Sequence, residues 1–255
     1  MKKLFFLLLI FFLIINNLKA ENKTVEVGLD EQLGKYIPLE LSFTDETGNT
    51  IPLKKLVNKP TVFLLVYYEC PSLCDPLMSE VVSRINQLDL IPGKDYQVIS
   101  ISINEEDNYQ IASNKKKNYL KAIKVEFPDS AWRFLTGSYD NIHKIADAFG
   151  YHFKKQGEIF VHPTTVMFVS PNGKITRYLI GTEFLPFDMK MALLESSKGN
   201  PMPTIATLMK ICFNYDPQGG KYLLNVTRIA GITMILTAAI FIIFLTKKPK
   251  KKNIN

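Results

Sequence analysis

Apolar positions are unbroken at the two ends of the chain and patterned in between. Leu4 to Ile15 is a continuous apolar run, preceded by Lys2 and Lys3 and followed by a short polar stretch ending in Ala20. That is the order of a secretory signal, and it predicts a signal peptide over residues 1–20 with cleavage after Ala20. Ile229 to Leu245 is a second run without a charge. At roughly 1.5 Å per residue it spans about 25 Å as a helix, just enough for the hydrocarbon layer. It predicts a transmembrane helix over 223–246, with Arg228 snorkelling at one interface. Lys247, Lys248 and Lys250 to Lys252 then form a basic cytoplasmic tail over 247–255, because basic flanks resist translocation. Both ends agree on a single-pass protein of the inner (cytoplasmic) membrane, with its globular part on the periplasmic or extracytoplasmic side.

Between these runs the periodicity switches repeatedly from strand to helix. Leu39 to Phe43 and Ile51 to Leu53, split by Asp45-Glu46-Thr47-Gly48, predict a β-hairpin. Thr61 to Tyr68 (TVFLLVYY) is a β-branched and aromatic run suited to a central strand covered on both faces. Leu77 to Leu90 has apolar residues at helical spacing. Tyr96 to Ile103 predicts a second buried strand, about Tyr109 to Ile123 an amphipathic helix, Trp132 to Leu135 a short strand, and Ile142 to Phe149 a helix stopped by Gly150. Thr165 to Val169, the Pro171-Asn172-Gly173 turn and Lys174 to Ile180 form a hairpin, and Phe187 to Ser196 a closing helix. This chain order predicts an α/β fold, a thioredoxin-like sandwich with an N-terminal β-hairpin, over residues 21–197, plus one C-terminal transmembrane helix. Residues 198–222 read as a juxtamembrane linker.

Charge changes the picture once it is located. The 255 residues carry 31 Lys and Arg against 24 Asp and Glu, a formal +7. Nine of the basic residues lie in the first 20 residues or after Tyr222, leaving residues 21–222 with 22 basic against 24 acidic, a net of −2. A nucleic-acid partner therefore loses its electrostatic support. The run Lys115 to Lys117 reads as a solvated helix face, with docking of an acidic partner as the alternative.

The candidate chemistry follows the central strand. Cys70-Pro71-Ser72-Leu73-Cys74 comes directly after Tyr67-Tyr68-Glu69, where open α/β folds place ligands. Either Pro71 is the first helical residue, or Asp75 is an N-cap with Pro76 at the first position. In both cases the sulfurs lie near a helix N-terminus, which favours thiolate, the form that binds metal or attacks disulfides. Three readings stay open on spacing alone: a structural disulfide, a redox pair, and a soft-metal site. Redox pairs on thioredoxin-like folds are more often spaced by two residues, so the three here shift the weight towards metal. His162, immediately before the strand TVMFV, is the candidate third ligand, and two thiolates with an imidazole suit copper as Cu(I) or Cu(II). A packing or surface histidine is the alternative. Pro163 is a candidate for a cis bond. Nothing in the sequence aims His143 or His152 at the cysteines. Cys212, near Met202, Met209 and Tyr215-Asp216-Pro217, reads as a packing residue, an auxiliary soft-metal contact or a resolving thiol.

At these residues the sequence resembles the Sco/SenC family of copper-handling proteins. The resemblance is carried by YYECPSLC after a strand, His162 ahead of SPNGK, GLDEQLGKYIPLELSFTDETG near the start, RYLIGTEFLPFDMKMALLESSKG, and CFNYDPQGGKY. It runs from about Val25 to Tyr222, and the last two segments are similar to the bacterial branch with a C-terminal anchor. The resemblance implies copper ligands at Cys70, Cys74 and His162. It also implies a role in assembling the dinuclear copper centre of cytochrome c oxidase, by delivering copper, by reducing the acceptor cysteines, or both. Implied partners are the copper-bearing oxidase subunit and other copper carriers or thiol reductants. The chain departs from the family in having Ser102-Ile103-Asn104-Glu105 where many relatives carry an Asp-Pro pair, and Pro163 directly after the histidine. Three functional classes follow: a metallochaperone, a thiol:disulfide oxidoreductase using Cys70 and Cys74, and a redox or copper sensor.

Overall fold

The structure, a computed structural model, describes residues 27–69, 74–203, 213–216, 221–224, 231, 234–235, 237–239 and 241. Its strands are β1 Gly28–Leu29, β2 Ser42–Thr44, β3 Thr50–Pro52, β4 Thr61–Val66, β5 Gln97–Ser102, β6 Trp132–Leu135, β7 Tyr151–His152, β8 Lys154–Gln156, β9 Ile159–Val161, β10 Thr165–Val169, β11 Ile175–Ile180, β12 Phe213–Asp216 and β13 Lys221–Leu224. The helices are α1 Leu53–Leu56, α2 Cys74–Ile85, α3 Tyr109–Leu120, α4 Tyr139–Phe149 and α5 Pro186–Lys198.

Five strands form the main sheet in the order β11-β10-β4-β5-β6. β4, β5 and β6 run parallel, and β10 and β11 are antiparallel to their neighbours. All six residues of β4 are buried, which is what a run of Thr, Val, Phe and Leu without a polar alternation requires. Successive side chains point to opposite faces. Val62, Leu64 and Val66 pack with Leu77, Met78 and Val81 of α2, Ala112 of α3 and Met189 of α5. Phe63 and Leu65 pack on the other face with Ile142, Ile145 and Phe149 of α4 and Phe43 of the N-terminal hairpin. Each such buried side chain contributes about 1.5–3 kcal/mol, so the end of β4 is a rigid platform. The thioredoxin-like sandwich and its N-terminal β2–β3 hairpin are therefore both present.

The helix boundaries have local causes. Asn108 accepts the N–H groups of Gln110 and Ile111 at the start of α3, and Ser138 that of Asn141 at the start of α4. α4 stops at Gly150 in the left-handed region, φ 63°. Other boundaries differ from expectation. The described α2 already includes Cys74, so Asp75 and Pro76 lie within the helix and not ahead of it. The Lys115–Lys117 run is not a uniform solvated face, because Lys116 is buried and ion-paired. No peptide bond among the described residues is cis, that before Pro163 included.

The expected C-terminal transmembrane helix is corrected. Among the described residues, no helix is long and apolar enough to cross a membrane. Leu223 and Leu224, placed at the start of the expected helix, belong to β13, which pairs with β12 in a two-stranded antiparallel sheet. The segment 198–222, expected to be a linker, contributes β12 and the start of β13. The signal peptide over 1–20 and the basic tail over 247–255 lie outside the described residues.

Candidate metal centre

β4 ends at Val66 and leads through Tyr67, Tyr68 and Glu69 towards Cys70. Tyr67 packs its ring against Phe160 of β9, centroids 5.3 Å apart. Tyr68 is fully buried, and its hydroxyl lies 3.0 Å from the Ser100 carbonyl and 2.9 Å from that of Leu135, bridging β5 and β6. Burial, with the charges of Asp107 and Glu46 behind it, raises the Tyr68 phenol well above its ordinary pKa. Its backbone N–H donates to Asp107 at 3.2 Å. The chain entering the cysteine segment is thus fixed on both sides.

His162 sits between β9 and β10. The β8–β9 hairpin that presents it was not foreseen. The Nδ1 atom lies 2.8 Å from the Tyr151 hydroxyl and 3.0 Å from the Pro163 carbonyl. That hydroxyl is also 3.0 Å from the Leu65 carbonyl of β4. Burial lowers the imidazole's pKa, the bond to the Pro163 carbonyl opposing it only in part. This favours the neutral ring, the form that ligates metal.

The four residues singled out in the sequence stand differently. His162 has a described side chain; Cys74 is placed as part of α2, its side chain outside what is described. Cys70 and Cys212 lie outside the described residues. Among the described residues no three His, Cys, Asp or Glu are grouped to hold a metal ion. His143 is packed between the rings of Tyr139 and Phe153, at 4.1 and 4.9 Å, and His152 pairs with Gly28 in β1.

Two residues escaped sequence reasoning. Tyr151 was not singled out in the sequence. Asp107 stands 5% exposed beyond β5, accepting from Ser102 Oγ at 2.6 Å and Asn104 Nδ2 at 3.0 Å. A buried carboxylate thus stands beside the Ser102-Ile103-Asn104-Glu105 segment. A cavity of about 320 Å³ has Tyr67 and Phe160 in its wall, with four carboxylates, Glu69, Glu106, Asp107 and Glu158, and one cation, Lys155, which pairs with Glu106. Carboxylates around a cleft attract cations to it.

A model of the SCO1/SenC family matches residues 30–192. The chain belongs to the SCO1/SenC family. A curated relative, the SCO1 protein homolog of Bacillus subtilis (strain 168), is 27% identical over 153 residues, covering 58% of this chain and 75% of its own. Among solved structures, a candidate electron transfer protein from Aquifex aeolicus VF5 superposes with a TM-score of 0.60 at 26% identity, over 66% of this chain and 95% of that one. ScoI of Arabidopsis thaliana, solved with copper bound, shares the fold at a TM-score of 0.51 and 18% identity, over 65% and 98% of the two chains. The SCO1/SenC match spans every strand of the main sheet and includes YYECPSLC and His162.

Proposed function

We propose that this SCO1/SenC protein is a copper chaperone acting outside the cytoplasm, holding copper through Cys70, Cys74 and His162 and assisting copper-centre assembly in cytochrome c oxidase. Copper is its cargo. The observation that carries the reading is the tether from His162 through Tyr151 to Leu65, because Leu65 lies in the strand that runs into Cys70. The ring contact of Tyr67 with Phe160 is a second tether of the same hairpin. Cys70 follows Tyr67 by three residues, which reach at most about 10 Å. Two thiolates and a neutral imidazole are a donor set suited to copper in either oxidation state. Family membership supports the oxidase as client, and the basic and apolar N-terminal pattern supports export.

In this reading each group has a distinct task. The N-terminal turn of α2 favours the thiolate form of Cys74. Cys70 and Cys74 take Cu(I), and His162 completes the set and matters more for Cu(II). The carboxylates beside Tyr67 draw the cation towards the site.

A second reading is favoured by Cys74 lying in α2, since a thiol at a helix N-terminus also suits disulfide exchange. The Cys70 thiolate would attack one sulfur of a substrate disulfide, releasing the other as thiolate. Cys74 would then resolve the mixed disulfide, leaving Cys70–Cys74 oxidised and the substrate a dithiol. One experiment separates the two. The purified full chain is reduced, given one equivalent of Cu(I), and compared with Cys70→Ser, Cys74→Ser and His162→Ala. The chaperone reading expects a stoichiometric complex lost with either cysteine, and Cu(II) binding weakened in His162→Ala. A reduced wild type that retains no copper but rapidly reduces a disulfide substrate supports the oxidoreductase instead.

A further inference from the structure

We propose that the end of the domain opposite the cysteine segment is a docking surface for a bilayer that carries anionic headgroups. β4 and β5 both begin at this end, where Thr61 pairs with Gln97, and β10 finishes here, with Val169 opposite Thr61. Four segments close over it, residues 35–40, 54–60, 91–97 and 170–174. The Gly173 carbonyl accepts from Ile37 N–H at 2.9 Å, that of Leu39 from Lys54 N–H at 2.8 Å, and that of Pro60 from Gln97 N–H at 3.0 Å, so the four are held side by side. Together they carry six lysines, Lys35, Lys54, Lys55, Lys59, Lys94 and Lys174, against two carboxylates, Glu40 and Asp95. Asp95 is engaged by the backbone N–H of Ile91 at 2.8 Å. Among the described residues none of the six lysines is ion-paired with a carboxylate.

A cavity of about 240 Å³ opens at this end, lined by Lys55, Asn58, Lys59, Gln97, Ser130 and Arg133, with no carboxylate in its wall. Asp45 and Glu46 already hold Arg133, so Lys55 and Lys59 supply its uncompensated charge. The cavity beside Tyr67, at the other end of β4, has four carboxylates and one lysine. The domain is therefore polarised along β4. Ammonium groups of this kind take phosphate as point-charge donors. One free phosphate would occupy the cavity alone, whereas the lysines extend beyond it to Lys35 and Lys174, around exposed apolar surface. Tyr36 is 56% exposed with Lys174 Nζ 5.6 Å from its ring centroid, and Met202, 46% exposed, donates its N–H to Thr176 of β11 at 2.9 Å. Lysines interleaved with an exposed tyrosine and methionine suit a headgroup layer, where the cations meet phosphates and the ring sits at the boundary. At about 3.3 Å per residue, β4 puts roughly 20 Å between this surface and the cysteine segment. A domain seated this way turns its cysteine end away from the bilayer, whether or not that end carries copper.

The test uses the full chain with vesicles of phosphatidylcholine alone, or mixed in equal parts with phosphatidylglycerol, at low salt. Hydrogen–deuterium exchange of the wild type is expected to slow at residues 35–40 and 54–60 on the mixed vesicles and to stay unchanged at 159–162. In cosedimentation, a variant carrying Lys54→Gln, Lys55→Gln and Lys59→Gln is expected to lose about 100-fold in affinity for the mixed vesicles, at about fivefold for each lysine near an anionic surface. Inorganic phosphate, against chloride at equal ionic strength, is expected to leave the melting temperature of both proteins unchanged. Absence of protection at 35–40 and 54–60 on the mixed vesicles overturns the proposal whether or not the variant folds. Unchanged affinity in the variant also overturns it and assigns vesicle binding to the lysines at the two ends of the chain. A melting temperature raised by phosphate in wild type alone, with no preference for the mixed vesicles, overturns the bilayer as occupant in favour of a free anion.

Discussion

Lys116 and Glu46 form a buried ion pair, Nζ to Oε1 2.7 Å, between α3 and the turn of the N-terminal hairpin. Lys116 also reaches Asp129 at 2.7 Å, while Glu46 accepts from Arg133 and from the backbone N–H of Phe134 at 3.0 Å. The pair ties the hairpin to the outer edge of the main sheet. Removing one partner of a buried pair strands the other charge, at about 3–5 kcal/mol. Arg133 still faces Glu46, so Lys116→Met is expected to cost about 3 kcal/mol, the low end of that range. Lys117→Ala, one residue along on the exposed face, is expected to stay within about 0.5 kcal/mol. Urea denaturation of both variants checks the contrast, and equal losses would contradict it.

Gly150 and Gly199 both end helices at φ 63°, yet substitution should affect them differently. A Cβ at Gly150 would fall 1.8 Å from the backbone oxygen of Asp30, whose N–H donates to the Gly150 carbonyl at 2.8 Å. A Cβ at Gly199 meets nothing within 4 Å. Gly199→Ala is expected to cost about 1 kcal/mol, the left-handed conformation alone. Gly150→Ala adds a backbone clash and is expected to exceed about 3 kcal/mol. Tyr151 is the next residue, so Gly150→Ala should also weaken copper binding, measured by competition with a chelator. Equal melting temperatures for the two variants would refute the contrast.

The strands β4 and β10 were legible in the sequence because each is a β-branched and apolar run. The glycine stop of α4 was legible because a single residue decides it. The hairpin presenting His162 was not. Lys154-Lys155-Gln156 is wholly exposed, and Ile159-Phe160-Val161 is too short and too exposed to show a period of two. Tyr151 was unreadable for a different reason, since its partner Leu65 is 86 residues away and they meet only through packing. Lys116 misled because composition gives it the same weight as its neighbours, whereas the helix turns it inward. At the C-terminus, the expected span began at Leu223, ahead of the uncharged run, where pairing with β12 makes a strand. Of the proposed metal site, the candidate donor types and their order could be read along the chain, while the orientation of the imidazole comes only from tertiary contacts.

Asp45 should govern part of the acid sensitivity. Burial pushes its carboxyl up. The hydroxyl and N–H of Thr47, the N–H of Asn49 and the Arg133 guanidinium outweigh that and hold its pKa below the usual carboxylate range. A carboxyl with a folded-state pKa below its unfolded value of about 3.9 contributes stability above that pH. The contribution is lost as pH falls through the folded-state pKa. Melting temperatures between about pH 6 and 2.5 should therefore fall more steeply in wild type than in Asp45→Asn. Parallel curves would show that Asp45 contributes nothing to the acid limb.

Asp107 is expected to hold the approach to the cysteines. Its carboxylate accepts from Ser102 Oγ at 2.6 Å, Asn104 Nδ2 at 3.0 Å and the Tyr68 N–H at 3.2 Å, all in a buried setting. Asp107→Ala leaves these three donors unmatched, at about 1–3 kcal/mol for each buried group that finds no replacement. Water entering the adjoining cavity should satisfy some of them, so a total near 3 kcal/mol is expected, less in Asp107→Asn, which keeps one acceptor. The consequence for function runs through Tyr68, two residues before Cys70. Freed from Asp107, the Tyr68 backbone should hold the cysteine segment less tightly, and Cys70 in the reduced protein should be alkylated faster by iodoacetamide than in wild type. Unchanged alkylation together with a full loss of stability would confine Asp107 to the fold and separate it from the metal centre.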